Sequence, residues 1–240
     1  MKQIMSRNTH TLDWEIVSIE NETHDTKTLT LRATSPFNSF IAGQYVTVLL
    51  PAVAPHEGKS YSISSIPDTS LITLTVKEMG VFSRALTAHT VGDHIETTEP
   101  YGFFYPEFED EKPLTFIAGG VGITPCMSII RTALTQGYAS PITLFYSNKT
   151  TADCIFKEAI AGLASTYPSF TVHQHLTREV PTDTSVTHGR ITEHDIRTHS
   201  EDSQNTDFFI CGSINFTKDM WRTLREIGIP STQIYTEGFF

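Results

Sequence analysis

The sequence predicts two domains, an antiparallel β-barrel followed by an α/β unit built on a parallel sheet. Three observations carry this. Short alternating apolar runs recur about every ten residues through the first hundred positions, residues 105–113 are rich in proline and acid, and beyond them apolar strands alternate with helical patterns. The 240 residues, 39% apolar and 18% charged, leave each half enough apolar surface for a core and exclude a disordered tail or a small disulfide scaffold.

In order along the chain, the runs 14–19, 26–31, 45–50, 61–65, 72–77 and 94–97 alternate apolar with polar and are broken by turn residues, which reads as strands. Their regular spacing favours a closed barrel over a sandwich. The one helical pattern among them is 81–88. The segment YPEFEDEKP, with two prolines, four acids and one lysine, suits an exposed linker, and the boundary is placed there: first domain 1–108, second 109–240. Strand 114–118, a helix from Thr124, strand 142–146, a helix from Thr151, strands 170–175 and 208–211 and helix 216–227 follow, the alternation of a Rossmann-like sheet.

Lys+Arg 17 against Asp+Glu 27 gives a net charge of −10, which argues against nucleic acid as a partner, because phosphate binding needs a basic footprint. Cys126, Cys154 and Cys211 show neither CxxC nor zinc-finger spacing and read as reduced thiols. The first fifteen residues lack an apolar signal region, and no stretch approaches the roughly 18 apolar residues of a membrane span. The expected location is the cytoplasm.

The second domain opens with LTFIAGGVGITPCMSIIR, a strand running through Gly119, Gly120 and Gly122 into a helix for which Thr124 fits the N-cap and Pro125 the first position. Such a glycine turn and helix start favour a phosphate or another electron-rich group. Pro125 replaces the third glycine of GxGxxG, so the ordinary dinucleotide fingerprint fails and a plain tight βα turn remains the alternative. After the second strand, where an NAD site carries an acid for the ribose, stand Ser147, Asn148 and Lys149. With Arg178 and Arg190 downstream, Lys149 offers donors for a 2′-phosphate and favours NADPH over NADH; each cation taken singly also reads as a solvated loop residue.

In the first domain, GKSYSISS makes a hydroxyl-rich strand edge at Lys59, Ser60, Tyr61 and Ser62, suited to a flavin's flat face, polar edge and pyrophosphate. Alone it is a polar strand. VKEMGVFSRAL reads as a second anion cradle, with Gly80 easing close approach and the amides of Val81, Phe82 and Ser83 opening a short helix, or as a routine helix cap. Cys211 and Gly212 fall at the carboxyl end of a parallel strand, where open α/β sheets bind ligands, although a buried structural cysteine reads equally well. The terminus TEGFF is expected to dock on something flat, since exposing Phe239 and Phe240 is costly. His173 and His175 share a strand face without a third ligand, which predicts solvent-facing histidines and no metal site. Serine hydrolase, P-loop and zincin motifs do not occur.

Taken together, GQYV, KSYSISS, VKEMGVFS, GDHIETTEPYGFF, AGGVGITPCMS, FICGS and a terminal EGFF follow one another in an order that resembles the ferredoxin-NADP reductase family over nearly the whole chain, residues 14–240. The resemblance implies an FAD-binding barrel and a domain for NADPH or NADH, with hydride passing from nicotinamide C4 to flavin N5. It implies that Tyr61 and Ser62 contact the flavin, that Gly80 and Ser83 hold its pyrophosphate, that Thr124 and Cys211 wall the nicotinamide pocket, and that Glu237 and Phe239 lie near the flavin. Whether Phe239 or Phe240 stacks is open. Ser62, Cys211 and Glu237 form the catalytic set, Ser62 tuning N5 and the other two shaping the pocket.

Lys59 departs from the family's arginine and loses its bidentate fork, which predicts looser FAD binding and leaves FMN open. The chain lacks the cysteines of an iron-sulfur domain, so electrons are expected to leave to a separate acceptor: a ferredoxin, a flavodoxin, an oxygenase component or free flavin. A free-flavin reductase and an electron-transfer or regulatory subunit without turnover are the alternatives.

Overall fold

Alternation of buried and outward residues shapes the first domain. Its strands are β1 (Thr11–Thr23), β2 (Thr26–Ala33), β3 (Tyr45–Leu49), β4 (Lys59–Ser62), β5 (Leu71–Lys77) and β6 (His94–Thr98). The computed structural model describes residues 11–199 and 204–239. The strands pair antiparallel in the order β4-β3-β6-β1-β2-β5, and a bridge between Ile63 and Leu74 joins the two edges, so the sheet closes into a barrel. Trp14, Ile16, Leu29, Leu31, Val46, Val48, Ile72 and Leu74 fill it. The Trp14 indole N–H is satisfied inside by Thr97 Oγ1 at 2.8 Å. Strand β1 runs longer than its apolar alternation because two register shifts, Ile16/Ser18 and Asn21/Thr23, let it bend with the barrel. Helix α1 (Val81–Thr87) adds Phe82 and Leu86 to the same core.

The second domain comprises β7 (Leu114–Gly119), α2 (Ile123–Thr135), β8 (Ile142–Asn148), α3 (Lys157–Thr166), β9 (Phe170–Leu176), β10 (Val186–His188), α4 (Glu193–His199), β11 (Asp207–Ser213), α5 (Ile214–Glu226) and β12 (Ile234–Phe239). All strands are parallel, in the order β10-β9-β8-β7-β11-β12. The near-continuous apolar runs of β7 and β11 follow from burial on both faces. Strand order reverses between β7 and β11, and a crevice at the carboxyl ends of such a sheet is where ligands bind.

Four expectations need correction. Helix α2 is capped by Gly122, not Thr124: a 3-10 turn, Gly120–Gly122, leads directly into it, and Thr124 Oγ1 turns back to donate to Val121 O at 3.0 Å. Pro125 accordingly stands third in the helix rather than first. The helix expected from Thr151 is a 3-10 turn, Thr151–Asp153; Phe156 then adopts φ +58°, and α3 begins after it. The terminal aromatic segment is an edge strand, β12, paired along β11, with Phe239 half-buried against the sheet's core; Phe240 lies outside the described residues. His175 is buried and His173 is sandwiched between Phe145 and His199, with ring centroids at 5.0 and 4.0 Å, so neither is a solvent-facing strand histidine. Burial, then the His199 and His175 charges, push His173 down to about 4.

Candidate active site

The barrel and the parallel sheet meet at the ends of β4 and β12. Ser62, the last residue of β4, donates from Oγ to Glu237 Oε1 at 3.2 Å, across 175 residues of sequence. Ser62 is buried and Glu237 largely so; burial pushes the Glu237 carboxyl up to about 7, with the Ser62 hydroxyl pulling the other way. Tyr45 lies opposite Ser62 on β3, its ring 4.3 Å from that of Tyr101. Burial, then Tyr101 and the Glu237 charge, raise its phenol. Cys211 stands in register with Glu237 on the neighbouring strand and is completely buried; burial, and then Cys126 and Glu237, hold its thiol well above the usual range. Held neutral and without solvent access, that thiol is not poised as a nucleophile, and Cys211 is not among the residues lining the cleft at the carboxyl ends of the parallel strands.

Tyr61 points the other way, onto the barrel core, with its ring stacked 6.5 Å from Phe82 and its phenol pushed up to about 12 by burial. Lys59 and Ser60 are exposed, and among the described residues Lys59 has no ion pair. At the start of α1, Ser83 Oγ accepts from Met79 N at 2.8 Å and Gly80 N at 3.0 Å and donates to Gly80 O. That hydroxyl is committed to the cap, so the turn offers a ligand its backbone: the amides of Val81 and Phe82 lack intrahelical partners, and the space beside Gly80 is open.

A cleft of about 620 Å³ opens at the carboxyl ends of the parallel strands. Lys149 follows β8, Arg178 follows β9 and Arg190 follows β10, and the side-by-side order of these strands brings all three cations to one cleft. All three are exposed, and none is held by a salt bridge among the described residues. Gly120 lines the cleft with φ +54° and open space where a side chain would stand. Gly122 is buried: a Cβ there would fall 2.2 Å from Cys211 O, so only glycine lets α2 start against β11. Gly212 is likewise packed, against the Phe216 ring. Thr124 and Pro125 are buried behind the turn.

Two contributors escaped the sequence reading. Asn148 is buried in the cleft wall and, apart from an electrostatic contact with the Tyr146 hydroxyl, neither atom of its amide has a hydrogen-bond partner. Its place in the Ser147-Asn148-Lys149 run was the available signal. Lys77, paired with Asp25 at 2.7 Å, also lines the cleft three residues before Gly80, linking it to the α1 turn. These features fit two nucleotide groups: an aromatic shelf at Tyr61 with an open amide turn for a flavin, and a glycine turn with unpaired cations and an orphaned amide for a phosphorylated nucleotide. No group of three or more ligating side chains able to hold a metal occurs among the described residues.

Comparison with known proteins agrees. The oxidoreductase FAD-binding domain family matches residues 13–105 and the oxidoreductase NAD-binding domain family residues 116–222. The human oxidoreductase NAD-binding domain-containing protein 1 is 32% identical over 266 residues, covering 98% of this chain and 84% of that protein. The chain belongs to the ferredoxin-NADP reductase-like family. It is an NAD(P)H-dependent flavoprotein oxidoreductase with an FAD-binding barrel and an NAD-binding sheet. The ferredoxin–NAD(P)(+) reductase component of the naphthalene 1,2-dioxygenase system of Pseudomonas putida is 27% identical over 231 residues, covering 94% of this chain and 68% of that protein. The chain thus spans about two thirds of the length of the oxygenase reductases it matches. In fold, the flavohem-like FAD/NAD-binding domain of a nitric oxide dioxygenase from Vibrio cholerae superposes with a TM-score of 0.85 at 23% identity, covering 95% of this chain and 98% of that one. Among the described residues, no helix is long and apolar enough to cross a membrane.

Proposed function

We propose that this chain takes a hydride from NADPH, in preference to NADH, onto FAD and passes the electrons to a separate redox carrier: a ferredoxin, a flavodoxin or an oxygenase component. The carrying observation is the Ser62–Glu237 hydrogen bond, which ties the flavin-type strand of the barrel to the last strand of the nucleotide-type sheet. Residues 1–108 serve as the FAD domain and 109–240 as the nucleotide domain. When bound, FAD supplies the exchange of one two-electron hydride for single electrons.

The chain's own residues hold and orient. Tyr61 provides the shelf; Lys59 and Ser60, with the backbone from Gly80 through Val81 and Phe82 to Ser83, face the pyrophosphate. Lys59 does so as a point charge without arginine's planar fork. Gly120 lets the nucleotide approach the start of α2, Gly122, Thr124, Pro125 and Gly212 support that wall from behind, and Lys149, Arg178 and Arg190 neutralise the 2′-phosphate. Ser62 places a hydroxyl at the reacting edge, and Glu237, whose carboxyl burial pushes up to about 7, accepts from Ser62 at Oε1 and can hold a proton on its other oxygen. Cys211 stays neutral and excludes water, and Phe239 closes the far side. Proximity of two held rings supplies much of the acceleration.

The acceptor reading is supported by the reductase components among the relatives, such as that of the naphthalene dioxygenase system. Three free, buried thiols suit a reducing compartment, and we place the protein in the cytoplasm. The exposed Lys59 favours a second reading, in which flavin is a substrate; flavin absent after purification and binding only weakly supports it, and stoichiometric flavin removes it. The test of the main reading is an anaerobic titration of the FAD-loaded protein with NADPH and with NADH, following the flavin band at about 450 nm. NADPH is expected to bleach it at lower concentration; a band that neither nucleotide bleaches overturns the proposal.

A further inference from the structure

Two carbonyls immediately after the Ser62 strand are gripped by helix α2. Ser65 O accepts from Ser128 Oγ at 2.6 Å, and Ser64 O accepts from Arg131 Nη1 at 3.1 Å. Three residues apart, Ser128 and Arg131 share one face of the helix. The Arg131 guanidinium also lies 4.9 Å from the centre of the Phe156 ring. Phe156 is buried in left-handed backbone at φ +58°, rare for an aromatic residue, and its N–H donates to Glu22 Oε2 at 3.1 Å.

From Glu22 the contacts return to their origin. Glu22 Oε1 accepts from Thr28 Oγ1 at 2.6 Å, the Thr28 and Thr75 hydroxyls meet at 2.8 Å, and the Thr75 and Ser64 hydroxyls at 3.0 Å. Ser64, Arg131, Phe156, Glu22, Thr28 and Thr75 therefore form a closed ring that crosses between the domains twice, at Ser64–Arg131 and at Phe156–Glu22. A ring resists displacement better than one contact, because moving any member disturbs two neighbours. The left-handed Phe156 fits this: strained backbone persists where its surroundings over-determine it.

Helix α2 gives the ring its reach. Its first end, Gly122, abuts the Cys211 carbonyl, and about two and a half turns later Arg131 holds Ser64. One rigid rod thus spans from the nicotinamide-side wall to the segment that carries Ser62. We propose that Arg131 is a positioning residue that, through the Ser64 carbonyl, fixes the spacing between the flavin strand and the nucleotide wall. This rests on the functional reading above. Hydride transfer is sensitive to that spacing, since a misplacement of about 1 Å can cost about 100-fold in rate.

The test uses the FAD-loaded protein and separates binding from rate. Arg131→Ala is expected to lower the limiting rate of flavin reduction at saturating NADPH about tenfold or more, to leave the NADPH dissociation constant within about twofold, and to change the visible circular dichroism of the bound flavin. Arg131→Lys, which keeps a donor for Ser64 O, recovers most of the rate. Glu22→Gln, on the opposite side of the ring, lowers the limiting rate in the same direction and serves if Arg131→Ala does not fold. A variant that melts earlier yet keeps the wild-type limiting rate and flavin dichroism reduces the ring to a structural clamp and overturns the proposal. If the wild-type flavin is reduced by neither nucleotide, the functional reading fails, and the dichroism of the oxidised flavin alone decides the positioning claim.

Discussion

Glu237 makes stability depend on pH in a direction opposite to that of most carboxylates. Its folded value of about 7 lies above the ordinary 4.5, chiefly through burial. The native state therefore binds the proton more tightly than the unfolded chain, so stability is fullest below about pH 4.5 and falls as pH rises through 7. At about 1.36 kcal/mol per pH unit, the gap corresponds to about 3 kcal/mol of lost stability at alkaline pH, an upper value since Glu237 retains some solvent contact. Glu237→Gln keeps an acceptor for Ser62 and removes the charge. The groups facing Glu237, which are Ser62, Tyr45, Cys126 and Cys211, stay neutral across this window, because the tyrosine and both thiols are pushed up. Urea denaturation of the flavin-free protein is expected to show the variant about 1.5–3 kcal/mol more stable than wild type at pH 8.5 and equal to it at pH 4.5. Equal stability at both pH values refutes a buried, proton-holding Glu237.

Further outcomes follow from the same geometry. Ser62→Ala should slow flavin reduction by NADPH at least about tenfold, and unchanged single-turnover kinetics remove Ser62 from the catalytic set. Arg190→Ala or Lys149→Ala should weaken NADPH binding about tenfold while leaving NADH within about twofold, as measured by calorimetry; equal losses for both nucleotides contradict a 2′-phosphate site. Gly122→Ala should destabilise by about 2 kcal/mol or more in thermal unfolding, because its Cβ meets the Cys211 carbonyl at 2.2 Å. Lys59→Arg should tighten FAD several-fold by restoring a planar fork, and an unchanged dissociation constant excludes Lys59 from the pyrophosphate.

Most strands of both sheets were legible because burial imposes period two on the barrel and continuous apolar runs on β7, β8 and β11. The convergence of Lys149 and Arg178 was legible too, since each follows a predicted parallel strand, whereas Arg190 was named without the strand that places it, β10. Strands β10 and β12 were not: β10 has three residues and one apolar side chain, and in β12 Glu237 and Gly238 interrupt the apolar pattern, so that only pairing with β9 and β11 makes them strands. The start of α2 went wrong because Thr-Pro is a strong local cap signal, whereas the close approach of Gly122 to Cys211 decides the geometry. The Arg131–Glu22 ring joins residues far apart in the chain through carbonyls and a buried ring face, which no local pattern encodes.

The central claim is that hydride passes from the nicotinamide to a flavin held beside Ser62 and Glu237. The most direct measurement is single-turnover flavin reduction, under anaerobic conditions, by NADPH carrying deuterium at nicotinamide C4. The account predicts bleaching of the flavin band at a rate slowed by the deuterium; bleaching with no isotope effect, or no bleaching, contradicts it.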